Sequence, residues 1–210
     1  NLVPGATAVL PVLGDDGVRR IVRLRLDARG VEVRPLRDLL ALDGTASGSL
    51  RLDDVAIAAQ DALPIAFAEL LQRVRPTFLL LQTAFCLGLA GRAADEADAA
   101  LAGSITEVVF AERRAEVRER LRALRGDYHA LLSRASSGAA RPIAPERLLR
   151  LRLDAARLVR EATGLEAAAV GGRGYLAASG TARRLREAAF LPVQSPTEGH
   201  LEWELRRLRG

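Results

Sequence analysis

The sequence contains no methionine, no lysine and a single cysteine, and only 4% of its residues are aromatic. Each scarcity removes a class of function. One thiol, Cys86, excludes a disulfide within the chain and any CxxC metal site. Set in the apolar run "QTAFCLGLA", it reads as a small buried hydrophobe, and a reducing cytoplasm suits it. So few aromatics leave few platforms on which bases could stack. The basic residues are all arginine, and their 31 charges against 26 acidic ones leave a formal net charge of +5. They are interleaved with acids, as in "FAERRAEVRERLRALRGD", which is the pattern of a solvated helix face and not of a nucleic-acid stripe. A natural reading frame begins with Met, so Asn1 reads as an internal position and the chain as one lacking its N-terminal part. No signal-peptide pattern stands at its start. The longest apolar run, Pro76 to Ala90, is shorter than a bilayer span. The expectation is a cytoplasmic chain with no nucleic-acid and no membrane partner.

What is present is enough to fold. A length of 210 residues with 49% hydrophobic content supports a sizeable core. The first part reads as β. In "RIVRLRLD", Val22, Leu24 and Leu26 alternate with Arg23 and Arg25, the two-residue period of a half-buried strand. "GVEVRPL" repeats this after the turn "DARG", and "GSLRLDDVAI" gives a third strand with Leu50 and Leu52 on one face. "ATAVLPVLG" is a fourth, cut by Pro11 and so an edge or irregular strand. "GDDG" is the turn between the first two. From Pro64 the texture is helical. Five helices are expected: 76–101, apolar nearly all round at first and so central to a bundle; 106–135, with one apolar stripe; a third from Pro145 to the stop at Gly171 and Gly172; "GTARRLREAAF"; and "SPTEGHLEWELRRLR". "SSGAARP" is the clearest loop. There is no internal repeat. The fold class is α+β and mostly α, with an antiparallel β region over 1–63 and a helical bundle over 64–210.

Few motifs carry chemistry. "GGRGY" follows a helix and lacks the full GxGxxG spacing, so it fails as a dinucleotide fingerprint; it reads as a helix stop whose bare backbone a cofactor could also approach. His129, beside Tyr128, has no second ligand at metal spacing. His200 lies five residues after Ser195, without a GxSxG elbow. "SPTE" reads as a capping box, with Ser195 as N-cap, Pro196 first and Glu198 third. A helix N-terminus is also a natural anion site.

Four stretches taken in order resemble one family. "GGRGYLAASGTARRLREAAFLPVQSPTEGHLEWEL" is similar to the end of the acyl-CoA dehydrogenases, which have a Gly-Gly-x-Gly-Tyr/Phe loop, a helix ending Arg-Asp-Ala and a Gly-Thr pair before the last helix. Here these are Gly171, Gly172, Gly174 and Tyr175; Arg186, Glu187 and Ala188; and Pro196 and Thr197. "RPTFLLLQTAFCLGLAGRAADEA" resembles the family's Arg-Pro helix. "LRLDDVAI" resembles the strand closing its β domain. "NLVPGATAVLPV" resembles the segment after its Trp-x-x-Asn flavin contact, with Asn1 as that Asn. The stretch 104–144 matches only in helical character.

The resemblance implies a three-part fold, of which this chain would hold the second half of the middle β domain and the C-terminal four-helix bundle, without the N-terminal helical domain. It implies FAD as cofactor, an acyl-CoA substrate of fatty acid metabolism, α,β-dehydrogenation of the thioester, and a homodimer or homotetramer; the electron acceptor stays open. Gly171 and Gly172 would approach the FAD of a neighbouring subunit, Thr197 would contact FAD, and Arg75 would lie near the acyl-CoA or simply start its helix. The family's base is a Glu that removes the α-proton while the flavin takes the hydride, a role that needs a carboxylate whose pKa a dry site raises. Its two usual positions hold Ser195 and Val74 here. Gln72 stands where the family often has Asp, and the family's Arg-x-x-Phe-Gly cofactor motif is not visible in "AERRAEVRERL". Glu198 is the nearest carboxylate and the candidate base. A superfamily flavin monooxygenase or oxidase, or a non-catalytic subunit, is the alternative.

Overall fold

The computed structural model describes residues 2, 3, 5–137 and 143–210. The reading of Asn1, and most of the loop "SSGAARP", lie outside the described residues. The chain divides into two compact units, Asn1–Arg75 and Pro76–Gly210.

In the first unit, β1 (Thr7–Leu13) pairs antiparallel with β2 (Arg19–Arg25), Thr7 opposite Arg25 and Leu13 opposite Arg19. The turn between them is the expected "GDDG", where Gly17 takes a φ of 73° and the Asp16 carboxylate accepts from Val18 N at 3.0 Å. Val22, Leu24 and Leu26 are buried, as their alternation predicts. Ile21 is buried too, because the chain returns on that side: Leu63 N donates to Ile21 O at 2.8 Å. That bond also explains why Pro11 does not break β1. Pro11 faces Ile21, whose carbonyl points away from β1, so the missing proline N–H falls at a position that donates no ladder bond.

The remaining strands form a separate antiparallel pair, β3 (Val31–Pro35) with β4 (Gly48–Leu52). All four expected strands are present, but as two two-stranded ladders. Gly48 is required where it stands: a Cβ there would lie 2.6 Å from the Arg34 carbonyl oxygen.

The helices are α1 (Phe67–Leu101), α2 (Ala111–Ser136), α3 (Pro145–Val170), α4 (Gly180–Phe190) and α5 (Glu198–Arg207). Helix α1 starts before the expected 76 and carries Pro76 inside it. Proline removes one main-chain bond and kinks a helix, yet the apolar residues beyond it are enough to keep the helix going. Arg75 is therefore mid-helix, not a helix start. The expectation that α1 is buried all round is also corrected. Leu79, Leu80, Thr83, Cys86, Leu87 and Ala90 are buried, whereas Phe78, Leu81 and Phe85 are 49%, 54% and 57% exposed. By length and mean hydropathy α1 is long and apolar enough to cross a membrane, and 56% of that window is buried within the protein, as in a core helix.

The second unit's core follows the stripes. Ala90, Ala93 and Ala97 of α1 share a cluster with Val117 and Leu121 of α2 and Leu158, Val159 and Leu165 of α3. A second cluster joins Leu79 and Leu80 to Leu149, Leu201 and Leu205. Each fully buried leucine contributes roughly 1.5–3 kcal/mol. The α3 stripe is not wholly apolar: Arg152, Thr163 and Glu166 are buried in it.

Candidate functional site

Helix α4 begins behind Ser179, whose hydroxyl oxygen accepts from Ala182 N at 3.0 Å while the hydroxyl donates to Gly174 O at 2.7 Å. After Phe190 the chain turns sharply, and Val193 N returns to Phe190 O at 2.9 Å. The cap of α5 is two residues later than expected. Thr197 is the N-cap, and its side chain accepts from His200 N at 3.3 Å. The box between Ser195 and Glu198 does not form, because Glu198 N donates to Pro192 O at 2.8 Å and the Glu198 carboxylate is engaged on α3. The Ser195 carbonyl accepts from Gln82 Nε2 at 2.7 Å. A Thr cap needs only an oxygen one turn ahead of a free N–H, and Thr197 supplies it.

The Glu198 side chain lies on α3. Its Oε1 accepts from Arg157 Nε at 3.0 Å and its Oε2 pairs with Arg160 at 3.1 Å. Arg157 also reaches Glu202. The hydrogen bond that Arg157 donates to the Glu198 carboxylate raises the Arg157 pKa. Guanidinium groups thus occupy both carboxylate oxygens, and a proton could be accepted there only after those pairs open. His200 is not aligned with Ser195 for proton transfer; its Nδ1 lies 3.0 Å from Thr197 Oγ1. His129 is exposed on α2 and meets Tyr128 edge-on, 5.5 Å between ring centroids.

Gly171 closes α3 at a φ of 68°, the left-handed region that favours glycine. It and Gly172 present bare main chain: nothing lies within 4 Å of a Cβ placed on either. The structure does not bring this edge next to Thr197. Glu198 is anchored at Arg157 and Arg160, and Gly171 lies eleven residues beyond Arg160 on α3, about 17 Å at 1.5 Å per residue. Beside the glycines is a depression of about 450 Å3 lined by Arg92, Glu96, Val170, Arg173, Thr181 and Arg184. Arg184 is held there by buried Glu166 through two bonds of 2.8 and 2.5 Å. Val74 and Arg75 belong to the first unit; Val74 is 45% exposed and Arg75 half-buried.

Several residues at this site are absent from the sequence-based set: Arg152, Arg157, Arg160, Gln82 and Glu166. The signal for two of them was available. Arg152 and Glu166 fall on the same helical stripe as Leu148, Val159 and Ala162, and a charge inside an apolar stripe asks for a partner. The contacts of Gln82 and Arg157 span 113 and 41 positions, separations that no local pattern encodes.

No protein-family model and no curated protein sequence matches the chain. Solved structures do. An acyl-CoA dehydrogenase from Geobacillus kaustophilus is 14% identical with a TM-score of 0.87, covering 96% of this chain and 56% of that one. A glutaryl-coenzyme A dehydrogenase in complex with glutaryl-CoA is 15% identical with a TM-score of 0.82, covering 95% and 53%. A glutaryl-CoA dehydrogenase from Mycobacterium smegmatis in complex with FADH2 is 17% identical with a TM-score of 0.82, covering 96% and 53%. The chain spans about half the length of these structures. Over nearly its whole length it has the fold of the acyl-CoA dehydrogenases.

Proposed function

We propose that this chain is the C-terminal part of an FAD-dependent oxidoreductase of the acyl-CoA dehydrogenase type. The observation that carries the reading is the match of almost the whole chain to such enzymes, one holding glutaryl-CoA and one FADH2. The local geometry fits a cofactor in one respect: Gly171 and Gly172 leave open space that a flat group could enter without meeting a side chain. FAD, when bound, supplies the acceptor for the hydride that leaves the thioester's β-carbon. The chain's own part is to hold and orient. Gly171 and Gly172 offer main chain to one flavin, Thr197 offers its hydroxyl to another some distance away, and Arg75 offers its charge to the acyl-CoA. Two separated edges suit an assembly of at least two copies. Glu198 is the candidate proton acceptor. To serve, it would have to leave Arg157 and Arg160.

A second reading is favoured by one observation. The two usual base positions hold Ser195 and Val74, and Glu198 is tied into ion pairs. A monooxygenase of the same fold, an oxidase whose substrate loses no α-proton, or a subunit without chemistry needs no such base. Anaerobic mixing of the complete gene product with saturated acyl-CoA separates the readings. Bleaching of the flavin band supports dehydrogenation. A flavin that stays oxidised without oxygen and consumes oxygen only with a reductant supports the second reading.

A further inference from the structure

Arg152 is fully buried in the bundle, and among the described residues its guanidinium bonds to no carboxylate. Its terminal nitrogens contact Leu191 O at 2.8 Å and Cys86 Sγ at 3.5 Å, and its Nε contacts Gln82 Oε1 at 3.3 Å. Burial pushes the Arg152 pKa down, and burial pushes the Cys86 thiol up to about 11, against the opposing charge of Arg152. A charge in an interior is costly unless its partners repay its desolvation, and the partners here are neutral. Stability alone therefore does not account for this arginine.

Its contacts suggest what does. Gln82, 1% exposed, passes the contact on by donating from Nε2 to Ser195 O at 2.7 Å. One network thus runs from the Leu191 carbonyl through Arg152 and Gln82 to the Ser195 carbonyl. It grips the seven-residue connection 191–197 between α4 and α5 at Leu191 and at Ser195, from α3 on one side and α1 on the other. Thr197 and Glu198 follow immediately. A planar guanidinium fork holds an acceptor in a fixed direction, and a rigid support is what a site carried on a connection requires.

We infer that Arg152 and Gln82 are positioning residues that set the Ser195–Thr197 turn, and through it the place of the Thr197 hydroxyl at the cofactor. This rests on the flavin reading of Thr197. The test uses the complete gene product and the variants Arg152→Met, Arg152→Lys and Gln82→Leu, with three readouts: thermal unfolding, amide hydrogen exchange and FAD affinity. Arg152→Met removes a buried charge but leaves Leu191 O and Gln82 Oε1 without their donor, so its unfolding temperature is expected to fall modestly with the fold kept. Exchange at Gln194 and Glu198 is expected to rise about tenfold while α2 amides keep their protection. FAD affinity is expected to fall about tenfold, the scale of one misplaced hydrogen bond. Arg152→Lys, which can still reach one acceptor, is expected to recover part of both, and Gln82→Leu to loosen the same amides. Unchanged exchange over 191–198, or a rise spread equally through α2 and α3, would overturn the inference. So would a loosened turn with unaltered FAD affinity. Loosening in a protein whose parent binds no FAD contradicts the flavin reading while supporting the hold on the turn.

Discussion

At the residue scale the chemistry turns on Ser195 and Glu198. A serine hydroxyl cannot act as a carboxylate does near neutral pH, so Ser195 provides no substitute for the expected base. Glu198 is the residue to change. If it takes the α-proton, Glu198→Gln lowers kcat of the complete gene product about 100-fold or more, with thermal unfolding tracked in parallel because its ion pairs are lost too. If turnover survives, Glu198 is an anchor of α5 on α3. Asp154 gives a pH test. Burial raises its pKa, against the charges of Arg150, Arg157 and Arg120. The folded state then holds this proton more tightly than the unfolded chain. Its contribution is present below the unfolded pKa and lost as pH rises through the folded one. Asp154→Asn should therefore raise the unfolding temperature at about pH 7 and give little gain at about pH 3. Glu166 is fully buried against Arg184, and Glu166→Ala should cost about 3–5 kcal/mol, because the buried guanidinium then keeps only Glu96, 3.8 Å away; denaturant unfolding measures this.

At the element scale, hydrophobic period and turn residues made most of the architecture legible. The alternation in "RIVRLRLD" reports β2, Pro145 and Gly171 bound α3, and "GDDG" joins β1 to β2. The errors have physical causes. The sequence reading starts α1 at Pro76 because proline is a helix breaker in isolation, whereas the helix runs through it because the apolar residues on both sides outweigh one lost bond. Its exposed face could not be read either, since a run apolar all round gives no direction: Phe85 and Cys86 look alike in sequence and differ completely in burial. The cap differs from the expected one because "SPTE" satisfies the local rule for a box, while the bonds that decide join Glu198 to Pro192, Arg157 and Arg160. Two comparisons follow. Thr197→Ala should lower stability by about 1 kcal/mol, whereas Ser195→Ala should leave it nearly unchanged. Phe85→Glu should stay within about 0.5 kcal/mol of the parent, checked by thermal unfolding.

At the scale of the whole molecule, the order and spacing of weak motifs pointed to the fold, and the fold is that of the acyl-CoA dehydrogenases. No single stretch was decisive. The site was far less legible. Glycines 171 and 172 could be read as an open helix stop, but the hold that Arg152, Gln82, Arg157 and Arg160 exert on the last turn rests on contacts distant in sequence. Fold also does not fix chemistry, and here the residues expected to perform it are replaced. The central claim is that this bundle serves a flavin. It is tested most directly by purifying the complete gene product and recording its visible absorption before and after titration with FAD. The result expected is a bound flavin spectrum, weakened when Gly172, which has open space around it and no positive φ, is changed to Val. A complete, folded protein that neither carries nor takes up FAD would contradict it.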